Sequence, residues 1–125
     1  MRIEAYFQEI RRDIEACSIL LLSNVAYDKR GTHKGFIRGD LLFSDNSTLH
    51  LREFINTRLD IERLMYAYQY MDADGNLIFR YDNSGHHREL SLLTYPHHKH
   101  NGNQDNIIPS SAPSLHDILV EIENI

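Results

Sequence analysis

Five of the chain's eight histidines fall between Arg80 and His100, in the stretch RYDNSGHHRELSLLTYPHHKH. His86 and His87 form one pair; His97, His98 and His100 follow after a spacer, with Arg88 and Lys99 among them and Arg80 and Asp82 just upstream. Imidazole is the side chain that gives and takes protons near neutral pH, its unperturbed pKa being about 6.5. Two such groups can divide the work of cutting RNA through its own 2′-hydroxyl. One removes the hydroxyl proton and the other protonates the leaving 5′-oxygen. Lys99 and Arg80 are the cations for the phosphorane charge, and Asp82 can orient a neighbouring imidazole by accepting its second N–H. The first reading is therefore a metal-independent endoribonuclease without cofactor. Its catalytic set is His86, His87, His97, His98, Lys99, His100, Arg80 and Asp82, with Tyr81, Arg88 and Tyr68 holding the substrate.

Two other chemistries fit the same residues. His98 and His100 are two apart, so on an extended segment they point the same way and can share an ion. His86 or His87 would be the third ligand, and the set His86, His98 and His100 suits Zn²⁺, Mn²⁺ or Ni²⁺. The spacing matches no well-marked zinc signature, and the single Cys17 supplies no thiolate cluster. The third reading is a binding module that blocks a cellular target, with Tyr66, Tyr68, Tyr70 and Tyr81 as interface anchors. Strand tyrosines are more often core packing, and that is the preferred reading of the stripe. Any one histidine is ordinarily surface or packing; only the joint cluster argues for a site. His33, His50 and His116 lie outside it and receive no role. Arg38 and Asp40 share one strand face and would lie beside Arg80 and Asp82 if their strands were neighbours; a solvated charge ladder explains them equally.

Positioning these residues takes a fold, and 125 residues with 42% hydrophobic content suffice for one domain, residues 1–125, with its own core. Thirteen Lys and Arg against 18 Asp and Glu give a net charge of −5. That balance argues against a general nucleic-acid coat and leaves room for a small basic site. No run reaches the roughly 18 apolar residues of a membrane span. The charged N-terminus is unlike an export signal, and one cysteine excludes an internal disulfide. A soluble protein of the reducing cytoplasm is expected.

Residues 2–16 carry a helical stripe of Ile3, Tyr6, Phe7, Ile10, Ile14 and Cys17. The apolar run Ser18–Tyr27 reads as a strand covered on both faces. Strands follow at His33–Phe43, at about Leu49–Ile55 and at Ile61–Met71. On the last of these Leu64, Tyr66, Tyr68 and Tyr70 share one face, and Arg63, Met65, Ala67 and Gln69 the other. Asp74-Gly75 marks a hairpin turn into a strand over Asn76–Asp82. The His-rich segment comes next as a loop, then a polar loop over Asn101–Ser111. A closing helix is capped by Ser114 with Asp117 three residues on. The expectation is an α+β domain: an antiparallel meander of five or more strands, both terminal helices on it, and the His-rich loop at its rim. Open sheet edges make a homodimer plausible.

The string GNLIFRYDNSGHH followed by YPHHKH, a loop and a Ser-capped helix resembles the TumE family of toxin–antitoxin proteins. The family pattern D-G-x-L-I-F-R-Y-D-N-x-x-H-H, then P-H-H-K-H, is met at Asp74, Gly75, Leu77 to Asn83, His86, His87 and Pro96 to His100. Ser84-Gly85 departs from the small residue and Pro expected there, which loosens a turn and removes no reactive group. The resemblance implies the toxin half of a two-gene module, neutralised by a small helix-turn-helix antitoxin. It fixes no chemistry. The site reading rests on one spatial condition: the two histidine pairs must converge when the chain folds.

Overall fold

Period-two alternation through the middle of the chain produces one sheet with two unlike faces. The computed structural model describes residues 1–125. After helix α1 (Ile3–Glu15) come strands β1 (Leu20–Lys29), β2 (Lys34–Phe43), β3 (Thr48–Asn56), β4 (Glu62–Met71) and β5 (Leu77–Asp82). A short 3₁₀ turn (Gly85–Leu90), β6 (His98–Asn101), β7 (Ile107–Pro109) and helix α2 (Leu115–Glu123) complete the chain. The seven strands lie in chain order, each antiparallel to the next. This is the expected α+β meander, longer by two strands.

One face carries the core. Ile37, Leu41, Leu49, Leu51, Ile55, Tyr66, Tyr68, Tyr70, Phe79 and Tyr81 are buried there against Ile3, Tyr6, Phe7, Ile10 and Ile14 of α1 and Leu115, Ile118, Leu119 and Ile122 of α2. The tyrosine stripe is therefore core. A Cβ at Gly35 would sit 2.5 Å from the Phe7 ring and 2.6 Å from Ile3, so its bare backbone admits α1 this close. The α1 start is satisfied by the chain and not by a cap: Ile3 N–H donates to the Thr32 carbonyl at 2.9 Å. At α2 the capping box forms, with Ser114 and Asp117 each accepting from the other's backbone N–H.

Three expectations are corrected. The apolar run after α1 is an edge strand, not a doubly covered one; Leu21 and Leu22 are 59% and 63% exposed. The His-rich segment is not all loop. His98–Asn101 pairs with β5, and Ile107–Pro109, read as part of a polar loop, pairs with it in turn. Finally, Arg63 shares the tyrosine face. A bulge at Leu64 shifts the register between Phe54↔Met65 and Ile55↔Arg63, and an extra residue reverses alternation beyond it. Asn83 closes the bulge, accepting from Tyr66 N–H at 3.0 Å and donating to the Leu64 carbonyl at 3.3 Å.

The bulge turns Arg63 to the side of the sheet that holds the core's one buried carboxylate. Glu53 is fully buried because its strand position points inward. Both Tyr6 and Tyr68 hydroxyls donate to it, the latter at 2.5 Å. Arg63 donates to Tyr68 Oη at 3.1 Å and to the Pro113 and Ala112 carbonyls at 2.8 and 2.7 Å. Burial pushes the Glu53 carboxyl up from its ordinary value of 4.5, against the two hydroxyls and Arg63, which pull it down. Glu53→Ala strands two hydroxyls, at about 1–3 kcal/mol each in unfolding experiments. Because the folded-state pKa is raised, the penalty for the buried charge is absent below 4.5 and develops as pH rises through the raised value. The stability of the wild type relative to Glu53→Gln should therefore grow as pH falls from 7 toward 4.5, measured by denaturant unfolding across that range.

Candidate active site

The second face of the sheet bears no helix, and its polar residues line up strand by strand. Cross-strand register gives one rung running Ala26, Arg38, Arg52, Ala67, Asp82, His98 and another running Asn24, Asp40, His50, Gln69, Arg80, His100. A groove of about 440 Å³ crosses this face, lined among others by Arg38, Arg52, Arg80, Asp40, His50 and Gln69. Three arginines face one aspartate there, and that Asp40 is paired with His50. The groove is thus locally basic in a chain of net charge −5. Arg38 and Asp40 do not touch Arg80 and Asp82, since β3 and β4 intervene; they occupy the same rungs at a distance.

At the β5–β6 end the rungs meet a cluster around Asp82, which is 3% exposed. Its Oδ2 accepts from Arg80 Nε at 2.8 Å and lies 3.5 Å from His100 Nε2. Its Oδ1 accepts from Ser84 N–H at 3.0 Å and lies 2.9 Å from His98 Nε2. Burial pushes this carboxyl upward, but the Ser84 amide and the Arg80 guanidinium hold it below the usual carboxylate range.

Backbone carbonyls fix the two buried imidazoles. His98 Nδ1 is 2.9 Å from the Pro96 carbonyl and His100 Nδ1 is 2.8 Å from that of Gln104. A carbonyl only accepts, so each Nδ1 carries the hydrogen, and a neutral ring then presents its Nε2 lone pair toward Asp82. His98 Nε2 is close to Asp82 Oδ1 but out of line for a hydrogen bond, and it is buried with no other partner. His87, half-buried on the 3₁₀ turn, completes the group. Its ring centroid is 4.9 Å from that of His98 and 5.4 Å from that of His100. One histidine of the first pair thus joins two from the second segment.

The remaining proposed residues lie elsewhere, mostly by strand parity. Positions 97 and 99 face opposite to 98 and 100. His97 stacks on Tyr66 with rings 12° apart, its Nδ1 being 2.7 Å from the Tyr66 hydroxyl. Burial, with the charge of Arg63, lowers its pKa; burial pushes that of Tyr66 up to about 12. Lys99 reaches Glu121 at 3.5 Å and lies over the Tyr81 and Phe79 rings. Tyr81 donates to Glu121 at 2.7 Å, and Tyr68 is fully buried against Glu53, so neither ring is open to a substrate. His86 and Arg88 are exposed on the 3₁₀ turn, outside the cluster. His50, Arg52 and Gln69, given no role in the sequence reading, line the groove; only the cross-strand register reveals their company.

A buried polar cluster thus lies at the end of a locally basic groove. A family model described as Toxin TumE matches residues 10–125, nearly the whole sequence. The chain belongs to the TumE toxin family, which makes it a toxin component of a toxin–antitoxin system, with an antitoxin as its partner. No curated protein and no solved structure matches it. No helix is long and apolar enough to cross a membrane.

The carbonyl contacts predict the tautomers. Long-range proton–nitrogen correlation spectra should show neutral His98 and His100 protonated at Nδ1; an Nε2–H signal at either would contradict the arrangement.

Proposed function

We propose that this toxin is an endoribonuclease whose RNA lies in the groove of the open sheet face and is cut at the His87–His98–His100–Asp82 cluster. The observation that carries the proposal is continuity. The rung that holds Arg38 and Arg52 runs on the same face to His98, and the neighbouring rung that holds His50 and Arg80 runs to His100. Arg38, Arg52 and Arg80 would take backbone phosphates, and Arg80, also bonded to Asp82, would carry charge to the cleavage point. His87 is the member of the trio that is not fully buried, so it is the one placed to meet the 2′-hydroxyl. The non-catalytic alternative loses its anchors, because Tyr66, Tyr68, Tyr70 and Tyr81 are at most 8% exposed. The neutralising partner is taken to be a helix-turn-helix antitoxin. The exposed β1 edge is where a second copy would pair.

Purified toxin incubated with RNA tests the reading. His87→Ala and His100→Ala should each slow cleavage by about 10²–10⁴-fold, while His86→Ala stays within a few-fold of wild type. Arg38→Ala and Arg52→Ala should weaken RNA binding and flatten its salt dependence, by about 0.7 in the log–log slope for each phosphate no longer neutralised. A wild-type protein that arrests growth on induction, yet cuts no cellular RNA, would sink the assignment.

A further inference from the structure

We propose that His87, His98 and His100, with the Asp82 carboxylate beside them, bind one divalent transition-metal ion, Zn²⁺ being the first candidate. The inference concerns the same side chains as the proposed RNA-cutting site and rests on that reading only for what the ion would do there. Binding itself follows from the geometry.

Ligand nitrogens of the three imidazoles lie within 4.8 Å of one another. Two of them are already prepared as ligands, since backbone carbonyls hold the Nδ1–H of His98 and His100 and leave each Nε2 lone pair turned inward. An outer acceptor on the far ring nitrogen is the usual support of a metal-bound histidine. A lone pair buried against a carboxylate oxygen is repulsive unless something positive lies between them, and His98 Nε2 is in that position with no hydrogen-bond partner. A bridging proton would serve His98 alone and leave the nitrogens of His87 and His100 clustered beside it. One cation serves all three.

The donor set selects the ion. Three imidazoles without thiolate suit the borderline metals, and a single nearby carboxylate is too little oxygen for Mg²⁺ or Ca²⁺. Three histidines with a position left open is the catalytic zinc pattern, in which the ion polarises a phosphoryl oxygen or a bound water. With its lone pair on the ion His87 would hold the metal, and a water bound to the ion would take over the contact with the 2′-hydroxyl. Ligation at about 2.0–2.1 Å brings tetrahedral donors to about 3.4 Å apart. The 3₁₀ turn bearing His87 must therefore close slightly on the sheet. The sequence offers His86 or His87 as the third ligand and names His86 in the set; His86 is exposed and outside it, and His87 takes the position.

Tag-free full-length protein, stripped with chelator, is titrated with Co²⁺ and then with Zn²⁺. The expected result is one equivalent of Co²⁺ per chain with the visible absorption of a four-coordinate ion, displaced by Zn²⁺, and a raised Tm when Zn²⁺ is bound. His87→Ala, on the exposed turn where folding is not at stake, should lower Zn²⁺ affinity at least about tenfold, and His86→Ala should leave it unchanged. Failure to take up a stoichiometric ion, or uptake indifferent to His87→Ala, overturns the site. Cleavage that survives chelation in a protein binding no ion overturns the cation and leaves the ribonuclease standing. Stoichiometric binding without cleavage of any RNA does the reverse.

Discussion

Burying the Asp82 carboxylate places a demand that much of the open face is built to meet. A charge with almost no water must be surrounded by donors and opposite charge, or it would take up a proton. Arg80 and Ser84 answer from its own strand and the turn that follows, and the imidazoles of β6 close around it. That enclosure exists because β6 pairs with β5 so that His98 faces Asp82 and His100 faces Arg80. Slipping the pairing by one residue would turn Lys99 and His97 toward the carboxylate and bury the wrong imidazoles.

The same alternation divides the molecule's work between its faces. Inward positions supply the aromatic and aliphatic core under the two helices, along with Glu53, whose carboxyl accepts from two tyrosine hydroxyls. Outward positions supply the groove and the histidine cluster. Neither face borrows residues from the other, with one qualification: the Leu64 bulge moves Arg63 to the helix side, where it binds the segment leading into α2.

Much of this was legible beforehand where a pattern ran long enough to be read. Ten-residue strands with alternating Tyr and a clear Asp-Gly turn announced the meander, and Ser114 with Asp117 announced α2. What could not be read was short or relational. Strand β6 has four residues, too few for periodicity to separate strand from loop, so His97 and Lys99 were grouped with neighbours that face the other way. The apolar Leu20–Leu22 run suggested double cover because composition does not reveal which strand ends a sheet. Arg52 and His50 gained meaning only from their rung partners, three strands away from the histidines.

Two of the clustered imidazoles stand on a strand held by ladders on both sides, since β6 lies between β5 and β7. The third does not. His87 rides on a turn with no buried residue and a backbone kink at its own position. The proposed site is therefore a fixed jaw and one held only by a surface turn. A grip on that turn alone would open the jaw, without anything having to fill the groove.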